Sequence, residues 1–255
     1  MSQMQFLSDS AFKISFVEIE LEGATYFIPK YARHRPACRK FLSGKLYEKQ
    51  THLSVAAFLK AFPGNIIHAG TFFGDMIPSF SAACGPDGLL YAFEPLLENY
   101  VLARLCTDRN GLKNVLLFNC GLADRIDRCS ISSYDETATT HRGGSARITD
   151  RGDVSSVTLT IDSLHIDQVS VLQLDVEGFE LKALSGGRET IERCRPLIMI
   201  EDNSKECEGF LTALSYEKLG RIPGLGVWRP QEREDFIAPL KPFLRSWKRF
   251  IALLG

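Results

Sequence analysis

From residue 65 onward the chain alternates short apolar runs with longer helical stretches, and few folds accept that rhythm. "NIIHAG" reads as a strand running into a glycine, and "DMIPSFSAAC" as a helix stopped by Gly85-Pro86. "GLLYAFEP", the helical "LLENYVLARLCTDRN" and "VLLFNCG" repeat the unit. Further on, "VSVLQLDVEG" is a buried strand, "FELKALSGGRETIERC" one helix and "RPLIMIED" another strand. A helix, a strand and a last strand near Val227-Trp228 complete the run. Repeated strand–helix–strand units pair in parallel through right-handed crossovers. The expected class is therefore α/β, a Rossmann-like, doubly wound and mostly parallel sheet.

Two regions depart from the rhythm. Residues 12–30, "FKISFVEIELEGATYFIPK", alternate apolar and polar residues around Glu22-Gly23, which predicts a hairpin. Leu46, Leu53, Ala56, Ala57 and Leu59 then follow helical spacing over 45–62, and Pro63-Gly64 stops it. The chain divides on this reading into a hairpin and helical extension, residues 1–62, and a main domain, residues 63–255. Residues 124–156 are polar with no sustained period, which fits either a surface excursion with short strands or a flap. The tail "KPFLRSWKRFIALLG" places Phe243, Leu244, Trp247, Phe250 and Ile251 on one helical face, with Arg245, Lys248 and Arg249 elsewhere, suited to capping a core or a dimer contact, with a membrane surface as the alternative.

Composition narrows the function. Apolar residues make up 45% and charged residues 24% of the 255, as in ordinary globular proteins. A formal net charge of -1 supplies no basic field for nucleic acid. The seven cysteines contain no C-x-x-C pair, so no zinc motif stands out and reduced thiols are expected. No stretch is long and apolar enough for a transmembrane helix, and the N-terminus does not read as a signal peptide, so the expected location is cytoplasmic.

The chemistry concentrates at strand ends. Gly70 and Gly74 bracket the turn after the first strand, where backbone can turn tightly and approach a ligand. A helix N-terminus beyond them offers free N–H groups. A dinucleotide fingerprint would read G-x-G-x-x-G; "GTFFG" lacks the middle glycine. Glu94 ends the second strand, where an acid accepts both ribose hydroxyls of an adenosine. Asp175 and Glu177 follow a buried strand, at the edge where open α/β sheets bind ligands. Glu201-Asp202 stand at the end of the next strand.

Gly70-Thr71-Phe72-Phe73-Gly74-Asp75, "YAFEP" at 91–95, "LTIDSL" at 159–164, "QLDVEGFELKALSGG" at 173–187 and "RPLIMIE" at 195–201 come in the order of the FkbM methyltransferases. The chain resembles that family over roughly residues 64–220, most specifically in D-x-E-G-x-E followed by L-x-G. The resemblance implies a seven-stranded sheet with one antiparallel strand at its edge. It also implies S-adenosylmethionine as cofactor and methyl transfer to a hydroxyl of a sugar, glycan or secondary metabolite.

Carried over by position, Gly70 to Gly74 with Asp75 would cradle the methionine part, Glu94 beside Pro95 would bind ribose, and Asn119 to Leu122, including Cys120 and Gly121, would lie near adenine. Asp175 would sit beside the sulfonium and Glu177 on the acceptor side. His68 stands where the family has an acid, and Thr71 and Phe72 where it has a small residue and Asn. A neutral His68 still hydrogen-bonds, and Phe72 would pack on the cofactor or narrow the pocket. The acceptor hydroxyl needs a general base, for which the candidates are Asp175, Glu177 and His141. No spacing singles out a metal. Two rival readings stand beside this one: a catalytically silent binding module on the same fold, and a nicotinamide-dependent oxidoreductase. The expected partner is a small-molecule or glycan acceptor, with homo-oligomerisation open.

Overall fold

The computed structural model describes residues 13–133, 146–149, 152–201 and 204–244. The N-terminal hairpin forms as the alternation predicts, from β1 (Phe16–Leu21) and β2 (Ala24–Pro29). Glu22 (φ 48°) and Gly23 (φ 83°) are both left-handed, the turn whose twist matches paired strands. Two helices follow, α1 (Pro36–Leu42) and α2 (Lys49–Ala61). The expected helix over 45–62 thus begins only at Lys49, after Glu48 in a left-handed conformation (φ 48°).

The main sheet takes its strands from β3 (Asn65–Ala69), β4 (Leu90–Phe93) and β5 (Val115–Phe118), with α3 (Ile77–Cys84) and α4 (Leu97–Arg109) between them. The helix expected from Asp75 starts two residues later, with Pro78 in its first turn. Next come the two-residue β6 (Gly121–Leu122), β7 (Asp127–Ser132), β8 (Arg147–Thr149) and β9 (Val154–Leu159), then β10 (Val169–Leu174). α5 (Glu180–Ser185), α6 (Arg188–Cys194), β11 (Leu197–Ile200), α7 (Lys205–Ala213), β12 (Tyr216–Ile222), β13 (Leu225–Pro230) and α8 (Ile237–Leu240) close the chain.

Residues 179–194, expected as one helix, are two, broken at Gly186-Gly187. A Cβ on Gly186 would lie 2.0 Å from the Ala123 carbonyl oxygen, and one on Gly187 would lie 2.9 Å from Ile161 Cδ1. The close approach of that loop requires the glycines, and the glycines interrupt the helix.

The seven strands run β12-β13-β11-β10-β3-β4-β5, parallel except at β13. The one antiparallel strand lies just inside the edge, with β12 outermost. Strand residues alternate between two cores. Ile66, Val171, Leu197 and Met199 face α2 and α3, while Ile67, Leu172, Leu174, Ile198 and Ile200 face α5, α6 and α7. The polar segment after Leu122 folds into short strands that form a second sheet, ordered β6-β9-β7-β8.

A third core joins the hairpin and α1 to the glycine turn: Phe41 meets Phe73 edge-on at 5.2 Å, and Phe72 belongs to the same cluster. All seven cysteines are free, five of them buried. No helix among the described residues is long and apolar enough to cross a membrane. The amphipathic tail expected to reach Ile251 lies, beyond Leu244, outside the described residues.

Candidate active site

The strand order reverses between β3 and β10, and such a switch point opens a crevice at the carboxyl ends of the strands. Gly70 directly follows β3 and Asp175 directly follows β10, side by side. Gly70 has φ 88°, and a Cβ there would stand 1.8 Å from the Asp175 carbonyl oxygen, so no other residue fits. The turn beyond is fixed by backbone bonds. Gly70 and Thr71 N–H groups donate to the Phe93 carbonyl at 3.1 and 3.2 Å, and Gly74 N–H to the Thr71 carbonyl at 2.9 Å. Phe72 adopts φ 50°, which costs a bulky residue about 1–3 kcal/mol.

Glu94 holds that strained residue in place. Its Oε2 accepts from Phe72 N–H at 2.8 Å, and its Oε1 accepts from Leu96 N–H at 2.9 Å and from Asn99 Nδ2 at 3.3 Å. Burial nonetheless pushes the carboxyl up to about 7, because these donors offset only part of the lost hydration. Glu94 is therefore first a clamp on two loop amides, with its edge turned to the crevice.

The turn after β10 has a similar clamp. Glu177 (φ 53°) and Gly178 (φ 100°) are both left-handed, and Glu180 accepts from the Val176 and Gly178 N–H groups at 3.0 Å each. Glu180 is 1% exposed. The last acid of D-x-E-G-x-E is thus a backbone clamp, which leaves Asp175 and Glu177 to face the crevice.

Two chambers meet there. The first is lined by Gly70, Glu94, Pro95, Cys120, Gly121, Leu122 and Ile148, among others. The second is lined by Arg35, Tyr47, Glu48, His68, Phe72, Asp75, Gln173 and Glu201. Gly70, Asp175 and Glu177 belong to both. A wider depression lies elsewhere among the described residues, along β7 and β9 by Arg125, Arg128 and Lys182. It is open and lacks the converging acids, so the crevice is the stronger candidate.

Electrostatics set the second chamber apart. Burial, then the Glu201 carboxylate, pushes Glu48 up to about 7; burial, then Glu48, does the same to Asp75. Asp75 also accepts from its own N–H and that of Met76, at the front of α3. Asp175 is raised well above the usual range by burial and by the adjacent Glu201 carboxyl, with which it shares a hydrogen bond. Glu177 is raised by burial and by Glu201, against the pull of Arg147, 3.7 Å away. Carboxylate oxygens of Asp175, Glu177 and Glu201 lie within 4.8 Å of one another, an arrangement able to draw in positive charge.

His68 is 1% exposed, and burial lowers it to about 4, so it is neutral. Its Nδ1 pairs with Gln173 Oε1, and its Nε2 has no partner. With an amide oxygen opposite, Nδ1 carries the proton and Nε2 presents a lone pair.

The crevice thus brings together His68, Gly70, Phe72, Asp75, Glu94, Pro95, Cys120, Gly121, Asp175 and Glu177. Thr71 is fully buried with its hydroxyl unpartnered, and Gly74 packs on α4 with Ala103 Cα 3.1 Å from where its Cβ would be; neither lines a chamber. His141 lies outside the described residues. Sequence reasoning missed Arg35, Tyr47 and Glu48, which the N-terminal extension brings to the crevice, and the clamping role of Glu180. No local sequence signal marks them.

No curated protein matches the chain. Among solved structures, Methyltransferase FkbM from Methylobacillus flagellatus KT aligns at 17% identity and TM-score 0.44, over 66% of this chain and 43% of its own. A SAM dependent methyltransferase from Aquifex aeolicus aligns at 16% and 0.41, over 72% and 93%. A SAM-dependent O-methyltransferase from Thermotoga maritima aligns at 14% and 0.43, over 86% and 66%. This chain therefore spans less than half of the Methylobacillus protein. The family model of the Methyltransferase FkbM domain matches residues 68–221, from His68 in β3 to β12. That match covers more than half of the chain, which belongs to the FkbM methyltransferase family.

Proposed function

We propose that the protein is an S-adenosylmethionine-dependent O-methyltransferase acting on a hydroxyl of a small, sugar-like or secondary-metabolite acceptor. The observation that carries this reading is the pair of chambers joined at Gly70, Asp175 and Glu177. A methyl donor and an acceptor have to meet at one point, screened from water.

The residues present fit the cofactor. At Gly70 a Cβ would fill the junction, and at Gly121 it would come within 2.7 Å of Ile148 Cδ1, so both glycines keep the passage open. His68 Nε2 is a buried acceptor awaiting a donor. Glu94, Pro95, Cys120, Gly121 and Leu122 would hold the adenosine, and His68, Phe72 and Asp75 the amino-acid end. When bound, the cofactor supplies an electrophilic methyl on a sulfonium sulfur.

The chain's own residues do the rest. Glu94 and Glu180 hold the two turns rigid, so that the crevice is preformed. Asp175 hydrogen-bonds Glu201 across the ends of β10 and β11, and burial and that neighbour raise its affinity for a proton. That places Asp175 to accept the acceptor's hydroxyl proton as the oxygen–carbon bond forms and the sulfur–methyl bond breaks. Glu177, held near Arg147, lies on the same wall.

Calorimetric titration with S-adenosylmethionine and S-adenosylhomocysteine, with NADH as control, tests the reading. Micromolar binding of the first two and none of NADH is expected. Failure of both to bind, or tighter binding of NADH, would overturn it.

A further inference from the structure

The cofactor's amino-acid end carries a carboxylate as well as an ammonium, and that carboxylate has to be held in a chamber rich in acids. The usual place for an anion in such a fold is the row of free N–H groups between a strand and the next helix. Here that row is spent. The Gly70 and Thr71 N–H groups donate to the Phe93 carbonyl, Phe72 N–H to Glu94, and Gly74 N–H to the Thr71 carbonyl. The Asp75 and Met76 N–H groups donate to the Asp75 carboxyl. A carboxylate brought to this turn finds none of these six amides free and meets an acid instead. Asp75 suits the ammonium, and the carboxylate needs a cationic side chain.

Among the described residues that line this chamber, Arg35 supplies the one guanidinium. It comes from the N-terminal extension, outside the matched residues 68–221. Its backbone is fixed on both sides. Arg35 precedes α1 in an extended conformation (φ -72°, ψ 146°), its N–H donates to the Ala32 carbonyl at 2.9 Å, and its carbonyl accepts from Arg39 N–H at 3.0 Å. Later in α1, Phe41 packs on Phe73 of the glycine turn, which keeps Arg35 in register with that turn. Burial and then the Asp75 carboxyl push the Cys38 thiol up to about 12, which sets the start of α1 beside Asp75. The guanidinium itself is uncommitted. Arg35 is half-buried, and among the described residues no hydrogen bond or ion pair holds its side chain. Glu177 feels its charge, but the cation that Glu177 pairs with is Arg147. A guanidinium rooted this firmly and paired with none of the acids around it keeps its donors for a ligand.

We propose that Arg35 binds the carboxylate of the cofactor's amino-acid end, so that the N-terminal extension completes the cofactor site. This rests on reading the two chambers as a methyltransferase site. The ammonium and the carboxylate leave the same carbon, so their partners have to be neighbours, as Asp75 and the start of α1 are. The guanidinium then does the work that the spent amides of the turn cannot.

The test is calorimetric titration of the whole chain with S-adenosylhomocysteine, with its decarboxylated analogue, and with methylthioadenosine, which lacks the amino-acid end altogether. Arg35→Gln is expected to weaken S-adenosylhomocysteine by about 10- to 100-fold and to leave the other two within about twofold of wild type. Arg35→Lys keeps the charge without the planar fork and should restore a part of that loss. Retained binding of the two probes without a carboxylate shows that the variants are folded. An unchanged affinity for S-adenosylhomocysteine in Arg35→Gln, or a loss shared equally by all the probes, would overturn the proposal. So would wild-type protein that binds S-adenosylhomocysteine no more tightly than the decarboxylated analogue, a result that leaves the methyltransferase reading standing. Wild-type protein that binds none of the probes loses that reading, and this proposal with it.

Discussion

At the scale of single residues, the crevice depends on backbone positions that only particular residues can hold. Gly70→Ala places a methyl 1.8 Å from the Asp175 carbonyl oxygen at φ 88°. The expected cost is above about 4 kcal/mol, enough to leave little folded protein. Gly178→Ala is the control: φ is 100° there but nothing lies within 4 Å, so only the backbone term of about 1–2 kcal/mol applies. Urea denaturation of the two variants should separate them clearly, and equal losses would contradict the geometry. Glu180→Ala strips the Val176 and Gly178 amides of their acceptor and should cost about 2–3 kcal/mol in the same assay. Much of this was legible in the sequence. Gly70, Glu94, Asp175 and Glu177 were placed at strand ends by the apolar runs before them, and the structure puts them around one crevice. The clamping roles of Glu94 and Glu180 were not legible, because they depend on which amides a folded turn leaves unpaired. Glu48 was hidden for another reason: nothing local in "KLYEKQ" says that it will stand opposite a sheet 120 residues later in the chain.

At the scale of elements, the N-terminal layer supports the site as well as lining it. Phe41 of α1 packs edge-on against Phe73 in the glycine turn, and Phe72 lies in the same cluster. Phe41→Ala should therefore lower stability by about 3–5 kcal/mol and weaken S-adenosylhomocysteine binding, although Phe41 touches neither chamber. Calorimetry showing unchanged affinity would mean that the turn holds its shape without α1. The hairpin was readable because Glu22-Gly23 sits midway in a clean alternation. α1 was not, because seven residues with three buried positions give too short a period to recognise. For residues 124–156 the sequence offered short strands and a flap without deciding between them, because the strands are mostly polar and only Ile131 and Thr158 of β7 and β9 are buried. In α5–α6 the helical period ran straight through Gly186-Gly187, and tertiary crowding at Ala123 overrode it.

At the scale of the whole molecule, the acids make stability depend on pH in an unusual direction. Glu48, Asp75 and Glu94 are pushed up to about 7, Asp175 well above its usual range, and Glu177 upward. Each binds its proton more tightly folded than unfolded, so its stabilising effect is lost as pH rises towards 7. His52 and His68, lowered to about 4 by burial, act oppositely, since the unfolded chain protonates them near 6.5. Five raised acids against two lowered histidines leave a net loss as pH rises. The ligand-free protein should therefore melt lower at about pH 7.5 than at about pH 5.5, and bound cations should narrow the gap. A melting temperature that climbs over that interval would show that the acids are solvated rather than confined. The proposed function requires that a single cofactor bridge the two chambers across Gly70 and Asp175. The measurement that tests it most directly is a crystal structure with S-adenosylhomocysteine. The account predicts adenine beside Cys120, Gly121 and Leu122, and the amino-acid end beside His68 and Asp75. Ligand bound instead in the open groove by Arg125 and Lys182, or with its two ends reversed, would contradict it.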